Sequence, residues 1–330
     1  MIGTRGSALA LWQAYHIQKL LRKANKGLNV EIKIIKTQGD KNLVSSLSTI
    51  GGKGVFTKEL EIALMRKEID LAVHSLKDLP TTLPKGLTIG AIPKREDVHD
   101  AFISHKWKSF DKLPEGAVVA TGSLRRKSQL LHLRPDLEIV DLRGNVQSRL
   151  KKLADNNWDG MILARAGLKR LGLEANVKEV FSSAVMLPAV GQGALGIEIR
   201  QGDARMTKYL KKLHHPATAA AANAERALLA GLGGGCQVPI GAHARVVGGA
   251  LVMDAFVASI DGTTMLRTRD KGALRSPDVL GKRIAQRLYA NGAKEILDVV
   301  LGPGAVPSTT AKRAPVKRAT IAKKTARKKK

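Results

Sequence analysis

Two residues of this sequence stand out for the chemistry they could do. Cys236 is the only cysteine, and it follows three consecutive glycines in "GLGGGCQVPIGAH". A free cysteine usually packs as a small hydrophobe. Three glycines before it favour a loop with close backbone approach, and a thiol near many cations tends toward the nucleophilic thiolate. Asp78 sits beside Lys77 in "HSLKDLP", at the end of a short apolar run. There it either makes a surface ion pair, worth about 0–1 kcal/mol, or places an acid inside a basic cleft. Neighbouring positive charge would keep such an acid ionised, and a fixed carboxylate could stabilise a cationic intermediate.

The basic residues supply the cleft. Arg5 in "GTRGS", Arg125 and Arg126 in "TGSLRR", Arg143 in "DLRGN" and Arg170 in "GLKR" all fall where a strand-like run gives way to a loop or helix. Arg149 follows Arg143 by one and a half helical turns. Ligands of open α/β sheets bind off the carboxyl ends of the strands, where helix N-termini add free N–H groups. The planar guanidinium also pairs with carboxylates bidentately. Singly, each arginine could be a solvated surface residue; as a set they predict an anion-binding cleft between two α/β units.

Other chemistries have less support. "GQGALG" (191–196) matches a dinucleotide fingerprint, but it precedes a strand-like run instead of opening a helix, so it reads as a turn or hinge. "GGKG" (51–54) lacks the spacing and hydroxyl of a phosphate loop and reads as a loop presenting Lys53. One cysteine and eight unclustered histidines predict no metal site. His74 reads as a core histidine and His214–His215 as a helix entry. No G-x-S-x-G is present.

The elements that must position these residues alternate between strand-like and helix-like. "ALALWQAYHIQKLLRKA" has helical spacing, "VEIKIIKTQGD" alternates as a strand, "FTKELEIALMRKEI" is helical and "DLAVHSL" is a buried strand. The pattern repeats from "AVVATGS" through "LRRKSQLLHLR", "LEIVDLRG" and "NVQSRLKKLAD" to "WDGMILARAGLKRLGL". Beyond Cys236 a three-strand antiparallel meander turns at Gly248-Gly249 and Asp261-Gly262, and the helix "DVLGKRIAQRLYANGAKEIL" closes it. The expected fold is α/β: two α/β domains and a smaller α+β C-terminal domain with an antiparallel sheet. The boundaries expected are 1–93 with 194–215, then 94–193, then 216–302.

The 330 residues carry a formal charge of +28 with 3% aromatics. Ten of the basic residues and no acid lie from Pro303 onward. This tail, 303–330, reads as disordered. It either solubilises the chain or binds nucleic acid or another polyanion weakly and salt-sensitively. The rest is still strongly cationic, as an anionic ligand requires. Scarce aromatics argue against base stacking as the main role. No run approaches a membrane span, and Arg5 and Gly6 interrupt the layout of a signal peptide. With one cysteine, these features predict a cytoplasmic protein.

Eight segments, in order, resemble the porphobilinogen deaminase (hydroxymethylbilane synthase) family: "IGTRGSALALWQA", "GGKGVFTKELE", "DLAVHSLKDLP", "TGSLRRKSQL", "LRGNVQSRL", "AGLKRLGL", "LPAVGQGALGIE" and "GGGCQVPIGA". The resemblance they carry runs from Ile2 to about Leu301. The resemblance implies three domains, the first two like periplasmic binding proteins, in a monomer. It implies a transferase of tetrapyrrole biosynthesis that condenses four porphobilinogen molecules head to tail, releasing ammonia at each step, before hydrolysis frees hydroxymethylbilane. It implies a dipyrromethane cofactor joined by a thioether to Cys236, a catalytic role for Asp78, and acetate and propionate binding by Arg5, Ser7, Lys77, Thr121, Ser123, Arg125, Arg126, Arg143, Arg149 and Arg170. Lys53 maps to a mobile loop and Gln192 to a hinge. The family commonly reads Thr-Ser-Ser where this chain has Thr121-Gly122-Ser123, so one hydroxyl contact is lost. The competing reading is a non-catalytic anion-binding module whose tail reaches nucleic acid; it needs neither Asp78 nor Cys236.

Overall fold

The structure, a computed structural model, describes residues 1–41, 54–235 and 238–302. The first unit contains β1 (Ile2–Thr4), α1 (Ala8–Ala24), β2 (Ile32–Ile34), α2 (Gln38–Lys41), α3 (Lys58–Met65), β3 (Leu71–Ser75) and β4 (Leu87–Ala91). The second contains β5 (Asp100–Ile103), β6 (Val118–Ala120), α4 (Leu124–Leu133), β7 (Glu138–Val140), α5 (Val146–Asp155), β8 (Gly160–Ala164), α6 (Arg165–Arg170) and β9 (Val177–Val180). The chain then returns as β10 (Leu195–Arg200) and α7 (Ala204–Leu210). It ends in α8 (Pro216–Gly231), β11 (Ile240–Val247), β12 (Ala250–Ala258), β13 (Met265–Ala273), α9 (Pro277–Ala290) and α10 (Ala293–Leu301).

The two five-stranded sheets share one pattern. Their orders are β2-β1-β3-β10-β4 and β7-β6-β8-β5-β9. In each, three parallel strands are followed by a reversed strand that pairs antiparallel on both sides. The reversed strands, β10 and β5, lie at the far ends of the two segments that cross between the units. Two covalent crossings restrict the relative motion of the units to one built on paired segments. The crossings are themselves bonded: Glu96 N–H donates to Gly193 O at 3.2 Å, Arg95 Nε to Gln192 O at 2.7 Å and Gln192 Nε2 to Val98 O at 2.7 Å.

Apolar strand runs build the cores. Ile2, Leu71, Val73, Ile197 and Ile199 pack beneath α1 through Ile17 and Leu21. Phe102, Val119, Leu130 and Ile162 form one core of the second sheet. The antiparallel sheet β11-β12-β13 packs Leu251, Met253, Ala255 and Val257 against Leu228 of α8 and Ile284 of α9. Its two turns fall at Gly248-Gly249 and around Asp261-Gly262, as the sequence predicts. The expected long final helix is two helices, because Gly292 adopts φ +101° and breaks the run after Ala290. His215 caps α8 ahead of Pro216, its side chain accepting from Thr218 N–H. His74 is buried in β3, with Nε2 2.9 Å from Oε2 of fully buried Glu198.

The glycines before Cys236 have separate tasks. Gly233 takes φ +65°, while its N–H donates to Ala230 O and that of Gly234 to Leu229 O. This is the paired C-terminal cap in which a left-handed residue closes a helix. A Cβ on Gly234 would lie 2.9 Å from the side chains of Ile240 and Leu229, whereas one on Gly235 would meet nothing within 4 Å. The approach is thus anchored up to Gly234 and open at Gly235. Cys236 lies outside the described residues, as do Lys53 and the tail from Pro303.

Candidate active site

The parallel strands of both sheets end at one cleft of about 590 Å³. β1 delivers Arg5 and Ser7; β3 delivers Lys77 and Asp78. From the second unit, β6 delivers Ser123, Arg125 and Arg126, β7 leads to Arg143 and Arg149, and β8 leads through α6 to Arg170. All of these line the cleft, with Gln192 from the return crossing. Thr121 does not: it is buried, and its Oγ1 accepts from Ser123 N–H at 3.3 Å, shaping the turn into α4. Helix N-termini also face the cleft, at Ser7, Ser123, Asn145 and Ala164. Ser7 caps α1 and Asn145 caps α5, its Oδ1 accepting from Ser148 N–H at 2.8 Å.

Eight Lys or Arg line this cleft against three Asp among the described residues. Lys36, which sequence reasoning did not single out, is one of the eight. Asp78 is exposed at the end of the turn Leu76–Asp78, and its carboxylate makes no hydrogen bond among the described residues. Lys77 beside it is half-buried. Desolvation pulls its ammonium down to about 8, against the opposing pull of Asp78. The turn is braced from the return crossing: Gly191 has φ +73°, and a Cβ there would lie 3.2 Å from Lys77 N.

Arg125 and Arg126 are 3% and 6% exposed and share one partner that sequence reasoning missed, the fully buried Asp100 of β5. Arg125 Nη2 donates to Asp100 Oδ2 at 2.7 Å. Arg126 Nη2 and Nε donate to Oδ1 at 2.7 and 3.2 Å, and Gln192 Nε2 donates to the same oxygen at 2.9 Å. Burial works to raise the Asp100 carboxyl, but the two guanidiniums hold it far below the usual carboxylate range. One carboxylate cannot satisfy two guanidiniums. Desolvation leaves Arg125 below its ordinary value, and its buried Nε has no hydrogen-bond partner among the described residues.

The remaining arginines are held by backbone or by single acids. Arg149 Nε donates to Gly144 O at 2.7 Å, and Arg170 Nη2 to Gly193 O at 2.7 Å. Desolvation lowers both guanidiniums to about 10. Arg170 also lies 5.6 Å from the Trp12 ring of α1, joining the two units. Arg5 lies 4.1 Å from the Phe56 ring and pairs with Asp40. Burial works to raise the Asp40 carboxyl, but hydrogen bonds from Arg5 and Thr37 outweigh it. Arg143 Nε pairs with Asp141 at 2.7 Å. Gly122 closes against this loop: a Cβ there would meet Leu142 O at 2.7 Å, so the backbone as it stands has no room for a side chain. The cleft can therefore hold a ligand carrying several carboxylates and set one carboxylate, Asp78, against it.

The chain matches two family models. One is described as "Porphobilinogen deaminase, dipyromethane cofactor binding domain", over residues 1–208, and the other as "Porphobilinogen deaminase, C-terminal domain", over residues 219–290. The porphobilinogen deaminase of Desulforamulus reducens is 49% identical over 299 residues, spanning 91% of this chain and 97% of the relative. That of Moorella thermoacetica is 52% identical over 299 residues, spanning 91% and 96%. Among solved structures, a putative methionine-binding lipoprotein from Bacillus subtilis aligns at 15% identity and a TM-score of 0.40, covering 65% of this chain and 89% of its own. That likeness is too loose to add to the topology read from the sheets. Both family models and the near-complete curated relatives agree, and the chain belongs to the porphobilinogen deaminase family.

Proposed function

We propose that the cleft condenses porphobilinogen head to tail, four molecules per product, with loss of ammonia at each step and final hydrolysis to hydroxymethylbilane. The observation that carries this reading is the surplus of eight cations over three acids, set around an exposed Asp78. Each pyrrole unit brings two carboxylates, so a growing chain needs many desolvated cations along its path. Guanidiniums stripped of water and short of carboxylates, such as Arg125, Arg149 and Arg170, fit a ligand that supplies its own. The same donors suit a dipyrromethane cofactor, for which Cys236 is the proposed thioether anchor. Bound there, that group would supply the free pyrrole carbon from which the product grows.

Each residue then has a defined task. Arg5, Ser7, Lys77, Ser123, Arg125, Arg126, Arg143, Arg149 and Arg170 bind and orient the acetate and propionate groups. Thr121 acts behind them through the turn that presents Ser123. When ammonia leaves porphobilinogen, positive charge develops at the pyrrole nitrogen. Asp78 accepts the pyrrole N–H and stabilises that charge. Gln192 and the paired crossings act as the hinge. The proposed domain division is 1–93 with 194–215, then 94–193, then 216–302, and the grouping of strands into three sheets supports it. Among the described residues no helix is long and apolar enough to cross a membrane; a cytoplasmic monomer is the proposed form.

Intact mass spectrometry with a turnover assay tests the reading. The recombinant chain should carry a dipyrromethane adduct and consume porphobilinogen. Cys236→Ala should carry no adduct, and Asp78→Ala should keep the adduct and fold while losing at least 99% of turnover, in the range of about 10²–10³ for removal of one electrostatic stabiliser. Apo mass without turnover would leave the non-catalytic anion binder as the better reading.

A further inference from the structure

A second cavity, of about 670 Å³, lies away from the cleft. One wall is the segment through Ser183 and Leu187, just after the second sheet. The other is the outer face of the C-terminal antiparallel sheet. Strand register accounts for that face. His243 opposes Asp254, and Asp254 opposes Arg269. Arg267 lies two residues from Arg269 and so on the same face, and Arg245 lies two from His243. Three arginines therefore gather on one side of a small sheet with a single acid among them. Asp254 is already taken by Arg245 at 2.6 Å, with Arg269 at 3.6 Å. Arg267 is exposed and has no acidic partner among the described residues. Like charges side by side on a sheet face repel, and an anion between them would remove that cost.

We propose that this cavity is a second ligand site, for a small polyanion carrying two or more carboxylate or phosphate groups. The volume lies within the range of small-molecule sites. The arginine forks suit either oxyanion. Leu187 supplies an apolar floor. Ser183 and His243 supply neutral polar contacts: Ser183 Oγ lies 3.1 Å from His243 Nδ1, and burial lowers the imidazole to about 4, so it is uncharged at neutral pH. The site also reaches the cleft through few bonds. Leu187 O accepts from Arg125 Nη1 at 2.6 Å, and Leu187 N–H donates to Gln129 Oε1 at 2.8 Å. The neighbouring Pro188 O accepts from Ala242 N–H of the C-terminal sheet. A ligand clamped between Leu187 and the sheet would hold the start of the return crossing, whose far end carries Gln192 and Gly193 into the cleft.

Calorimetric titration of the full-length holoprotein at fixed ionic strength tests this without reference to turnover. The probes are citrate and inorganic pyrophosphate, each against a sodium chloride control. Saturable binding of at least one probe is expected, and the stronger one tells carboxylate from phosphate. Arg267→Gln, an exposed position whose loss leaves the Arg245–Asp254 pair intact, should weaken it at least tenfold with an unchanged melting temperature. Arg149→Gln, in the cleft, should leave it unaltered. Equal affinity in wild type and Arg267→Gln, a response matched by sodium chloride, or loss in Arg149→Gln alone would each overturn the proposal.

Discussion

Asp100→Asn should be among the most damaging single-atom changes available in this chain. The carboxylate is fully buried and accepts four hydrogen bonds, three of them from two nearly buried guanidiniums. The amide keeps one acceptor but turns an N–H₂ toward one guanidinium, and it removes the charge that balances both. Removing one partner of a buried ion pair costs about 3–5 kcal/mol. At about 2–4 °C per kcal/mol for a chain of this size, the melting temperature should fall by about 6–20 °C at pH 7. The sign with pH is fixed. The folded carboxyl is held below its ordinary value, so its contribution is complete above the unfolded pKa of about 3.9 and fades as pH falls toward the folded value. Thermal unfolding followed by circular dichroism from pH 3 to 7 should therefore show the variant's deficit shrinking with acid. Combined with Arg125→Met, the loss should be smaller than the sum of the single losses by more than about 1 kcal/mol, because the double variant removes a stranded charge. A deficit under 2 °C at pH 7, or one equal at pH 3 and pH 7, would refute the account of Asp100 as the buried counter-charge.

Three further outcomes follow from the same geometry. Lys77 titrates at about 8, so its positive charge falls about tenfold between pH 7 and pH 9, and KM for porphobilinogen should rise by a similar factor. Lys77→Arg should flatten that limb; a flat wild-type profile would remove Lys77 from anion binding. Because the folded ammonium is disfavoured, its penalty on stability is present below pH 8 and relieved as pH rises toward the unfolded value of about 10.4. Gly193→Ala places a Cβ at φ +82°, 2.5 Å from Glu96 O and 2.7 Å from Asp97 O. It should cost about 3 kcal/mol or more in denaturant titration, whereas a loss under about 1 kcal/mol would show that the crossings are not rigidly paired. Deleting the tail after Gly304 should leave turnover intact and abolish a salt-sensitive retention on DNA; a retention unchanged by salt would exclude simple charge binding.

Much of the candidate site was legible because its signals are local. Arg5, Asp78, Arg125, Arg143 and Arg170 each follow a strand-like run within a few residues, and the parallel strands of both sheets do end at one cleft. The caps are equally local: Ser7 and Asn145 accept from N–H groups three residues on, and His215 with Pro216 opens α8. "GQGALG" was readable as a turn because a helix does not follow it.

What periodicity left out is long-range. β4, β5, β9 and α7 carry little pattern of their own, and both reversed strands owe their place to partners far along the chain. β10 pairs Glu198 with Ala72 across 126 positions. Asp100 was invisible for the same reason. Nothing near it in the chain says that two arginines 25 and 26 residues later, and Gln192 beyond them, will converge on one carboxylate. Arginines at a strand end look like solvated cations until the fold buries them, and Thr121 looks like a ligand until the turn points it inward. The sequence by itself determined the kind of chemistry, since residue type and local spacing set which groups stand at strand ends. Only the tertiary structure decided which cations are desolvated, which acids neutralise them and where a second basic cavity opens, because burial and charge pairing arise between segments that meet only when the chain has folded.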